Sequence, residues 1–411
     1  MPSTETPARC AHAARDRHAS HTVVDLFSGT GGMGCGFHRH PAFEIVGAAD
    51  AELGKPSSGA GTLGCNASFR HNIGIEPLSL DLARVQPEEL RDLLALSDRP
   101  VVLSACAPCT GFSRTLARNH IFDDSRNSLV GRVGAFAGAL RPEVIVMENA
   151  RELLMGRFAG HFAAFRETLE KLRYQVVPEV HFLSDFGLPQ RRERALIVAV
   201  QRDHAPLGLS DMWAGLAVRE EAKHVRRAIA HLPEIEAGRF HESDPMHISP
   251  RIVSEVNQRR LAAIPHDGGS WYDLVSHPEA DELLTPSMKK RTTIRDFGSH
   301  PDVYGRLSWD RPAATIKREC GHMGNGRYSH PEQDRLSTVR ELALLQGFPS
   351  DYDFVSSSLT NLYRHVGDAV PPLVAYQVAS LVHWILGADR PAPGDVVLPR
   401  CSLNAEDIIE T

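Results

Sequence analysis

The feature that most constrains the fold is a regular alternation of short apolar runs with helical patterns between residues 22 and 200. The runs are continuous, which is typical of strands buried on both faces of a sheet. They cover residues 22–27, 43–49, 100–105, 143–147, 175–180 and 194–200. The clearest helical pattern lies between two runs, at residues 160–173. Strands alternating with helices predict a parallel, doubly wound α/β sheet.

The first four of these runs end in residues that can carry chemistry. The first run leads into the loop Ser28-Gly29-Thr30-Gly31-Gly32, which offers backbone N–H groups to a polar ligand. The second run ends at Asp50, where an acid can accept hydrogen bonds from ribose hydroxyls. The third is followed by Pro108-Cys109 and the fourth by Glu148-Asn149. Because ligands bind where such strands end, we expect these groups at one edge of the sheet.

Cys106 and Cys109 form a C-x-x-C pair that three kinds of site would explain. A zinc site needs two more ligands, and the chain has no second cysteine pair. A redox pair would normally begin a helix in a small domain. We therefore expect Cys109 to be a nucleophile and Cys106 to be a small buried residue.

Arg192 lies just before the sixth run and Arg194 begins it, with Glu193 between them, so the two guanidinium groups share one face. Charges before a strand usually form a solvated edge. Here that face is equally suited to a carboxylate, a phosphate or a base carbonyl.

The composition is that of an ordinary globular protein. The 411 residues are 42% hydrophobic with a net charge of -6, and no apolar stretch reaches membrane-spanning length. The seven cysteines lack the spacing of a disulfide framework, which favours a reducing compartment and a cytoplasmic location. Residues 1–20 and 389–411 have the composition of tails, and residues 202–339 follow no sustained period.

The motifs, taken in order, resemble the DNA (cytosine-5)-methyltransferase family of bacterial modification enzymes. They run from residue 22 to 385, and six in sequence are far more specific than any one alone. They are Asp25-Leu26-Phe27-Ser28-Gly29-Thr30-Gly31-Gly32, Pro108-Cys109 with Gly111-Phe112-Ser113, Glu148-Asn149, Gln190-x-Arg192-x-Arg194, Arg340-Glu341 with Gln346-Gly347-Phe348-Pro349, and Gly367-Asp368-Ala369-Val370-Pro371-Pro372.

This resemblance implies transfer of a methyl group from S-adenosylmethionine to carbon 5 of a cytosine that is flipped out of the duplex. Cys109 would attack carbon 6, and Glu148 would hydrogen-bond to and protonate ring nitrogen 3. Arg194 would bind the carbonyl oxygen with support from Arg192. No metal is implied. The implied cofactor site comprises Phe27, Ser28, Gly29, Thr30, Gly31, Gly32, Asp50, Asp81, Pro108 and Asp368.

The implied architecture is a Rossmann-like S-adenosylmethionine-dependent methyltransferase domain with a smaller, irregular target-recognition domain. The catalytic domain would span residues 21–201 and 340–388, and the recognition domain 202–339. Double-stranded DNA is the expected partner, a cognate restriction endonuclease a functional one, and the enzyme is expected to be a monomer. Candidate DNA contacts are Arg114, Arg118, Lys289, Lys290, Arg291 and Arg295.

Several alternatives stay open at this point. A tRNA cytosine-5 methyltransferase has the same core, but the Cys-Phe-Thr tripeptide of that branch does not occur here. A solitary DNA modifier without an endonuclease fits equally well. A nicotinamide-dependent dehydrogenase would explain the glycine loop alone, and a catalytically silent DNA-binding protein would have lost a key residue. Asp368 departs from the asparagine more frequent in the family, and adds a negative charge near a cationic methyl donor.

Overall fold

The computed structural model describes residues 20–53, 59, 61–108, 129–156, 159–294 and 302–411, with the side chain of residue 294 left out. The expected N-terminal tail therefore lies almost wholly outside the described residues. Among the described helices, none is long and apolar enough to cross a membrane.

A six-stranded sheet forms the centre of the described structure, in the order β2-β1-β3-β4-β7-β5. The strands agree with the six predicted runs to within two residues. The first seven strands of the chain are β1 (His21–Leu26), β2 (Phe43–Ala49), β3 (Val102–Ala105), β4 (Val144–Asn149), β5 (Tyr174–Phe182), β6 (Gln190–Arg191) and β7 (Glu193–Gln201). β6 lies outside the central sheet.

The sheet is not parallel throughout, and the prediction was wrong at β7. This strand runs antiparallel to both of its neighbours, β4 and β5. The reason lies in the connection, because β5 ends at residue 182 and β7 begins at residue 193. A parallel neighbour needs a crossover of about a dozen residues or more, usually including a helix. The residues between β5 and β7 hold only a short 3₁₀ turn and the two-residue β6.

Helices cover both faces of the sheet, because successive strand residues point to opposite sides. Val23, Val144 and Val146 face one apolar core, while Val24, Ile145 and Met147 face the other. The helices before residue 200 are α1 (Gly32–Arg39), α2 (Cys65–Ile73), α3 (Leu90–Leu93), α4 (Leu129–Leu140) and α5 (Ala159–Lys171). The helix predicted at 160–173 is therefore confirmed.

The middle of the chain is irregular, as its composition indicated. Its elements are short: α6 (Leu209–Trp213), β8 (Leu216–Val218), α7 (Val225–Ile229), β9 (Phe240–His241), β10 (Asp244–Ile248), α8 (Glu255–Ala263), α9 (Ala280–Leu283), α10 (Pro286–Ile294), β11 (Gly305–Arg306), β12 (Ala313–Ala314) and β13 (Arg327–Ser329). Buried polar contacts accompany its apolar clusters. Fully buried Arg306 donates hydrogen bonds to the carbonyls of Leu261, Ile264 and His330.

The chain then returns to the sheet through α11 (Val339–Leu345), α12 (Leu359–Asp368) and α13 (Pro372–Ile385). Thr338 caps α11 by accepting a hydrogen bond from the backbone of Glu341, whose side chain binds the backbone of Thr338 in turn. α13 packs against α1 on one face of the sheet.

The expectation of a C-terminal tail at 389–411 is wrong. Strand β14 (Ile408–Glu410) pairs with β8, and Val396, Leu398 and Leu403 are buried in the core that α13 shares. These apolar side chains follow neither a helical nor a strand period, so the proline- and glycine-rich composition of the segment conceals them.

Candidate functional site

Three neighbouring parallel strands deliver the predicted groups to one edge of the sheet. Leu26 at the end of β1 is in register with Ala105 at the end of β3, and Ser104 of β3 is in register with Val146 of β4. The glycine loop, Pro108 and Glu148 therefore follow adjacent strand ends. Pro108 is exposed and is the last described residue before a gap. Cys109 itself lies outside the described residues.

The Glu148 carboxylate is buried beside the two predicted arginines. Only 8% of its side chain is exposed, and its Oε1 lies 2.8 Å from Nε of Arg194 and 3.8 Å from Nη2 of Arg192. Neither contact has the alignment of a hydrogen bond, so Oε1 has no hydrogen-bond donor among the described residues. The three side chains thus form a pocket of one acid and two fixed cations.

Asn149 positions the chain that leads to Pro108. This fully buried residue donates a hydrogen bond from Nδ2 to the carbonyl of Ala107, at 3.1 Å. The backbone N–H of Glu148 donates to Sγ of Cys106 at 3.3 Å, so Cys106 links β3 to β4. Cys106 is half-buried rather than fully buried. The sequence suggested no role for Asn149 beyond its place beside Glu148.

Arg192 is held rigidly. It is 3% exposed and donates to the carbonyls of Ile316 at 3.1 Å and Ala369 at 3.4 Å. The prediction that Arg192 and Arg194 share a face is confirmed by their common neighbour Glu148. Glu193 points elsewhere and pairs with Arg151 at 2.8 Å.

The glycine loop makes a tight turn that side chains would obstruct. Gly31 has a φ of 88°, a conformation that glycine adopts without strain. A Cβ on Gly32 would lie 2.2 Å from the carbonyl oxygen of Val370, so this glycine allows the two segments to touch. Phe27 also has a positive φ, of 57°. The hydroxyl of Ser28 is buried without a hydrogen-bond partner, whereas Thr30 donates to the carbonyl of His365.

Asp50 is placed beside this loop at the end of β2. Its two carboxylate oxygens accept hydrogen bonds from the backbone N–H groups of Gly29, at 3.0 Å, and Glu52, at 2.6 Å. Burial raises the pKa of the Asp50 carboxyl, and these hydrogen bonds oppose the rise.

The other two predicted acids differ in their surroundings. Asp81 follows residues that run beside the end of β2, is 39% exposed and pairs with Arg84 at 3.2 Å. Asp368, at the end of α12, lies 3.4 Å from Nη1 of Arg318. Loss of water around the Asp368 carboxyl raises its pKa to about 6, and Arg318 and Arg192 oppose the rise. Exposure of 34% of this side chain keeps it available to a ligand.

Sequence reasoning missed Arg318, which stands in no recognised motif. Its Nε and Nη2 atoms are buried, and no residue in the described part of the chain forms a hydrogen bond with them. The only signal for it in the sequence was Asp368, because an added negative charge implies a nearby cation that balances it.

The predicted DNA contacts are only partly described. Lys289, Lys290 and Arg291 lie on α10, where Lys290 is exposed and Lys289 donates to the carboxylate of Asp281 at 3.0 Å. That ion pair reduces the charge that the cluster offers to DNA. Arg114, Arg118 and Arg295 lie outside the described residues. Across the described ranges, no group of three or more His, Cys, Asp and Glu side chains is arranged to hold a metal ion.

Comparisons with known proteins point in one direction. Residues 21–384 match the family described as C-5 cytosine-specific DNA methylase. The Type II methylase M.HgiDII of Herpetosiphon aurantiacus is 30% identical over 368 residues, which cover 89% of this chain and 95% of the relative. The Type II methyltransferase M.NgoFVII of Neisseria gonorrhoeae is 30% identical over 365 residues, covering 88% and 86%.

The fold has counterparts among solved structures. The Dnmt2 methyltransferase of S. pombe superimposes with a TM-score of 0.56 and 16% identity, over 89% of this chain and 98% of its own. A protein encoded in an E. coli prophage, described as a DNA modification methyltransferase, gives a TM-score of 0.57 and 20% identity over 90% and 100%.

Proposed function

The chain belongs to the C-5 cytosine-specific DNA methylase family, whose members methylate carbon 5 of cytosine in DNA, and we propose that Cys109, Glu148, Arg192 and Arg194 carry out the reaction in this protein. The observation that carries this assignment is the buried Glu148 carboxylate, with both arginines beside it at the end of β4.

Cys109 is the proposed nucleophile. Carbon 5 of cytosine is a poor nucleophile, and addition of a thiolate at carbon 6 makes it enamine-like, so that one difficult step becomes two easier ones. Only a few per cent of a free thiol is ionised at neutral pH, and nearby positive charge increases that share. Asn149 holds the carbonyl of Ala107, which fixes the strand end from which Cys109 continues.

Glu148 is the proposed acid at ring nitrogen 3. A proton held between this carboxyl and the nitrogen limits the negative charge that builds up on the ring. Arg194 lies beside this carboxyl, with its Nε 2.8 Å from Oε1. In the proposed complex the carbonyl of the base takes a hydrogen bond from Arg194. Arg192, fixed by two backbone carbonyls, keeps the pocket in shape.

S-adenosylmethionine is the proposed methyl donor, and the residues present suit it. The glycine loop offers backbone N–H groups and the unpartnered hydroxyl of Ser28. Asp50 and Asp81 follow neighbouring chain segments and have acceptor oxygens for hydroxyl groups. Asp368 provides a carboxylate for a positively charged ligand, and Pro108 lies at the edge of the same site.

Residues 202–339 are the proposed target-recognition domain, binding double-stranded DNA across the cleft from residues 21–201 and 340–388. Two relatives named as Type II enzymes support the further proposal that the protein is the modification half of a restriction–modification system with a cognate endonuclease. We propose that the enzyme acts as a monomer, as its resemblance to the family suggests.

The test is to express the protein in a host that lacks cytosine methylation and to sequence the genomic DNA by a 5-methylcytosine-sensitive method. We expect methylation at one short motif with the wild type, and none with Cys109→Ala or Glu148→Gln. Both variants should retain the wild-type melting temperature, which excludes misfolding. Unmethylated DNA together with methylated tRNA would replace the DNA assignment with the tRNA alternative.

A further inference from the structure

Arg318 is a cation with an unused hydrogen-bonding edge. Its Nη1 lies 3.4 Å from Oδ2 of Asp368, whereas Nε and Nη2 are buried and have no partner among the described residues. Buried polar groups nearly always have a partner, and an unpartnered charged donor is costly. Since only 22% of the side chain is exposed, water does not fully compensate. The unused edge is therefore suited to a ligand with paired oxygens, because a guanidinium binds a carboxylate through two parallel hydrogen bonds.

The backbone fixes Arg318 at this position. A Cβ on Gly367 would lie 2.3 Å from the carbonyl oxygen of Lys317 and 2.7 Å from the backbone nitrogen of Arg318. A Cβ on Gly321 would lie 2.9 Å from the ring of Tyr363. Two glycines thus allow residues 317–321 to lie directly on α12. The close approach brings a cation of the middle segment beside the acid that ends α12.

The pair also lies beside the glycine loop. Asp368 precedes Ala369 and Val370, and Val370 touches Gly32 at the start of α1. The carbonyl of Ala369 binds Arg192, whose positive charge opposes the rise in the pKa of Asp368. A ligand in the loop would therefore meet a carboxylate and a guanidinium side by side. S-adenosylmethionine ends in an amino acid, which carries an ammonium and a carboxylate on adjacent atoms.

We propose that Arg318 and Asp368 bind the amino-acid end of the cofactor, with the Nε–Nη2 edge of Arg318 on its carboxylate and Asp368 on its ammonium. This inference rests on the proposed cofactor site and adds a binding residue to it. The oxygens of a DNA phosphate have the same hydrogen-bonding chemistry. The carboxylate is favoured because Arg318 already faces an acid of the cofactor site, and because its two unpartnered nitrogens are shielded from solvent.

The test compares two ligands by isothermal titration calorimetry without DNA. S-adenosylhomocysteine has the amino-acid end, and 5′-methylthioadenosine keeps the nucleoside but lacks that end. For Arg318→Gln we expect at least about tenfold weaker binding of S-adenosylhomocysteine, as for loss of a charge-assisted hydrogen bond. Binding of 5′-methylthioadenosine should be unchanged. Lys317→Gln removes the same charge from the exposed neighbouring residue and should affect neither ligand.

The other outcomes are distinct. If Arg318→Gln weakened the binding of both ligands equally, the arginine would have a structural role. If it changed neither affinity, the inference would also be overturned. Weaker binding of a DNA duplex by Arg318→Gln, with cofactor affinity intact, would assign the arginine to phosphate instead. Arg318→Lys keeps the charge without the paired donors and should restore only part of the affinity, which covers the case that the glutamine variant does not fold. Failure of the wild type to bind S-adenosylhomocysteine would overturn the proposed cofactor site itself.

Discussion

Asp25 lies at the end of β1, directly before the glycine loop, with 1% of the residue exposed. Its Oδ1 accepts a hydrogen bond from the hydroxyl of Ser104 at 2.7 Å, whereas Oδ2 lies near the backbone of Gly34 without a well-aligned hydrogen bond from the described residues. Burial raises the pKa of this carboxyl to about 7, while the Ser104 hydrogen bond opposes the rise and Asp50 adds to it. The acid therefore gains a proton on folding under mildly acidic conditions.

The stability of the protein should consequently decrease as the pH rises. An unfolded aspartate titrates near 3.9, so between about pH 4 and pH 7 the folded state binds more protons than the unfolded state. The free energy of unfolding falls by up to ~4 kcal/mol over this range, and it levels off above the pKa of the folded state.

Asp25→Asn cannot ionise, so its unfolding free energy should vary less between pH 5 and pH 8 and exceed that of the wild type at pH 8. Chemical denaturation across this range measures both. Parallel curves for the two proteins would contradict the argument, and Asp310→Asn serves as the exposed control.

At the scale of single residues, the sequence predicted reactive side chains best where they come directly after a strand. Glu148 was predicted at the edge where strands end, and Arg192 and Arg194 were predicted to share a face, but only the family resemblance placed the three together. Asn149 and Arg318 could not be assigned in this way. Their roles depend on the Ala107 carbonyl and the Asp368 carboxylate, which are distant in sequence, and on backbone approaches that only the folded chain makes.

At the level of elements, α1 and α13 pack closely because of one glycine. A Cβ on Gly36 would lie 2.4 Å from the backbone of Ala375 and Tyr376. Gly36→Ala should therefore destabilise the protein by about 2 kcal/mol, although alanine favours a helix more than glycine does. Gly131 of α4 has no atom of the described residues within 4 Å of its Cβ position, so Gly131→Ala should instead stabilise by up to about 1 kcal/mol. Thermal and denaturant unfolding of both variants tests the contrast, and a stabilising Gly36→Ala would show that the helices can move apart.

Elements were predicted well where the local sequence pattern determines the structure. This pattern is the helical period in α5 and the continuous apolar run in each of the six strands. Strand direction at β7 was not, because it depends on the length of a connection rather than on any residue within the strand. The packed C-terminal segment was also missed. Its buried Leu398 and Leu403 find their partners in elements far away in sequence, and isolated apolar residues have no periodic signal.

At the scale of the whole molecule, a buried amide network joins the returning segment to the arginine pocket. Nε2 of Gln190 donates to Oε1 of Gln346 at 2.6 Å, and Nε2 of Gln346 donates to the carbonyl of Ala369 at 2.7 Å. Oε1 of Gln190 accepts a hydrogen bond from the backbone of Ile316 at 2.9 Å. The carbonyls of Ile316 and Ala369 are the same groups that hold Arg192. The network thus ties β6, the middle segment and the loop after α12 to Arg192, a proposed catalytic residue.

Gln346→Leu should disturb both stability and catalysis through this network. The change leaves the amide of Gln190 and the carbonyl of Ala369 short of partners, at about 1–3 kcal/mol for each buried group. Because Arg192 shares that carbonyl, we also expect kcat to fall by about tenfold or more, with little change in KM for DNA.

Gln377→Leu is the matched control. This residue of α13 is equally buried, but within the described residues its amide donates only to the carbonyl of Phe186. It should lose stability without losing kcat. Denaturant unfolding and steady-state methylation assays on the two variants separate these effects. Equal kcat values for Gln346→Leu and Gln377→Leu would mean that the network stabilises the fold without positioning Arg192.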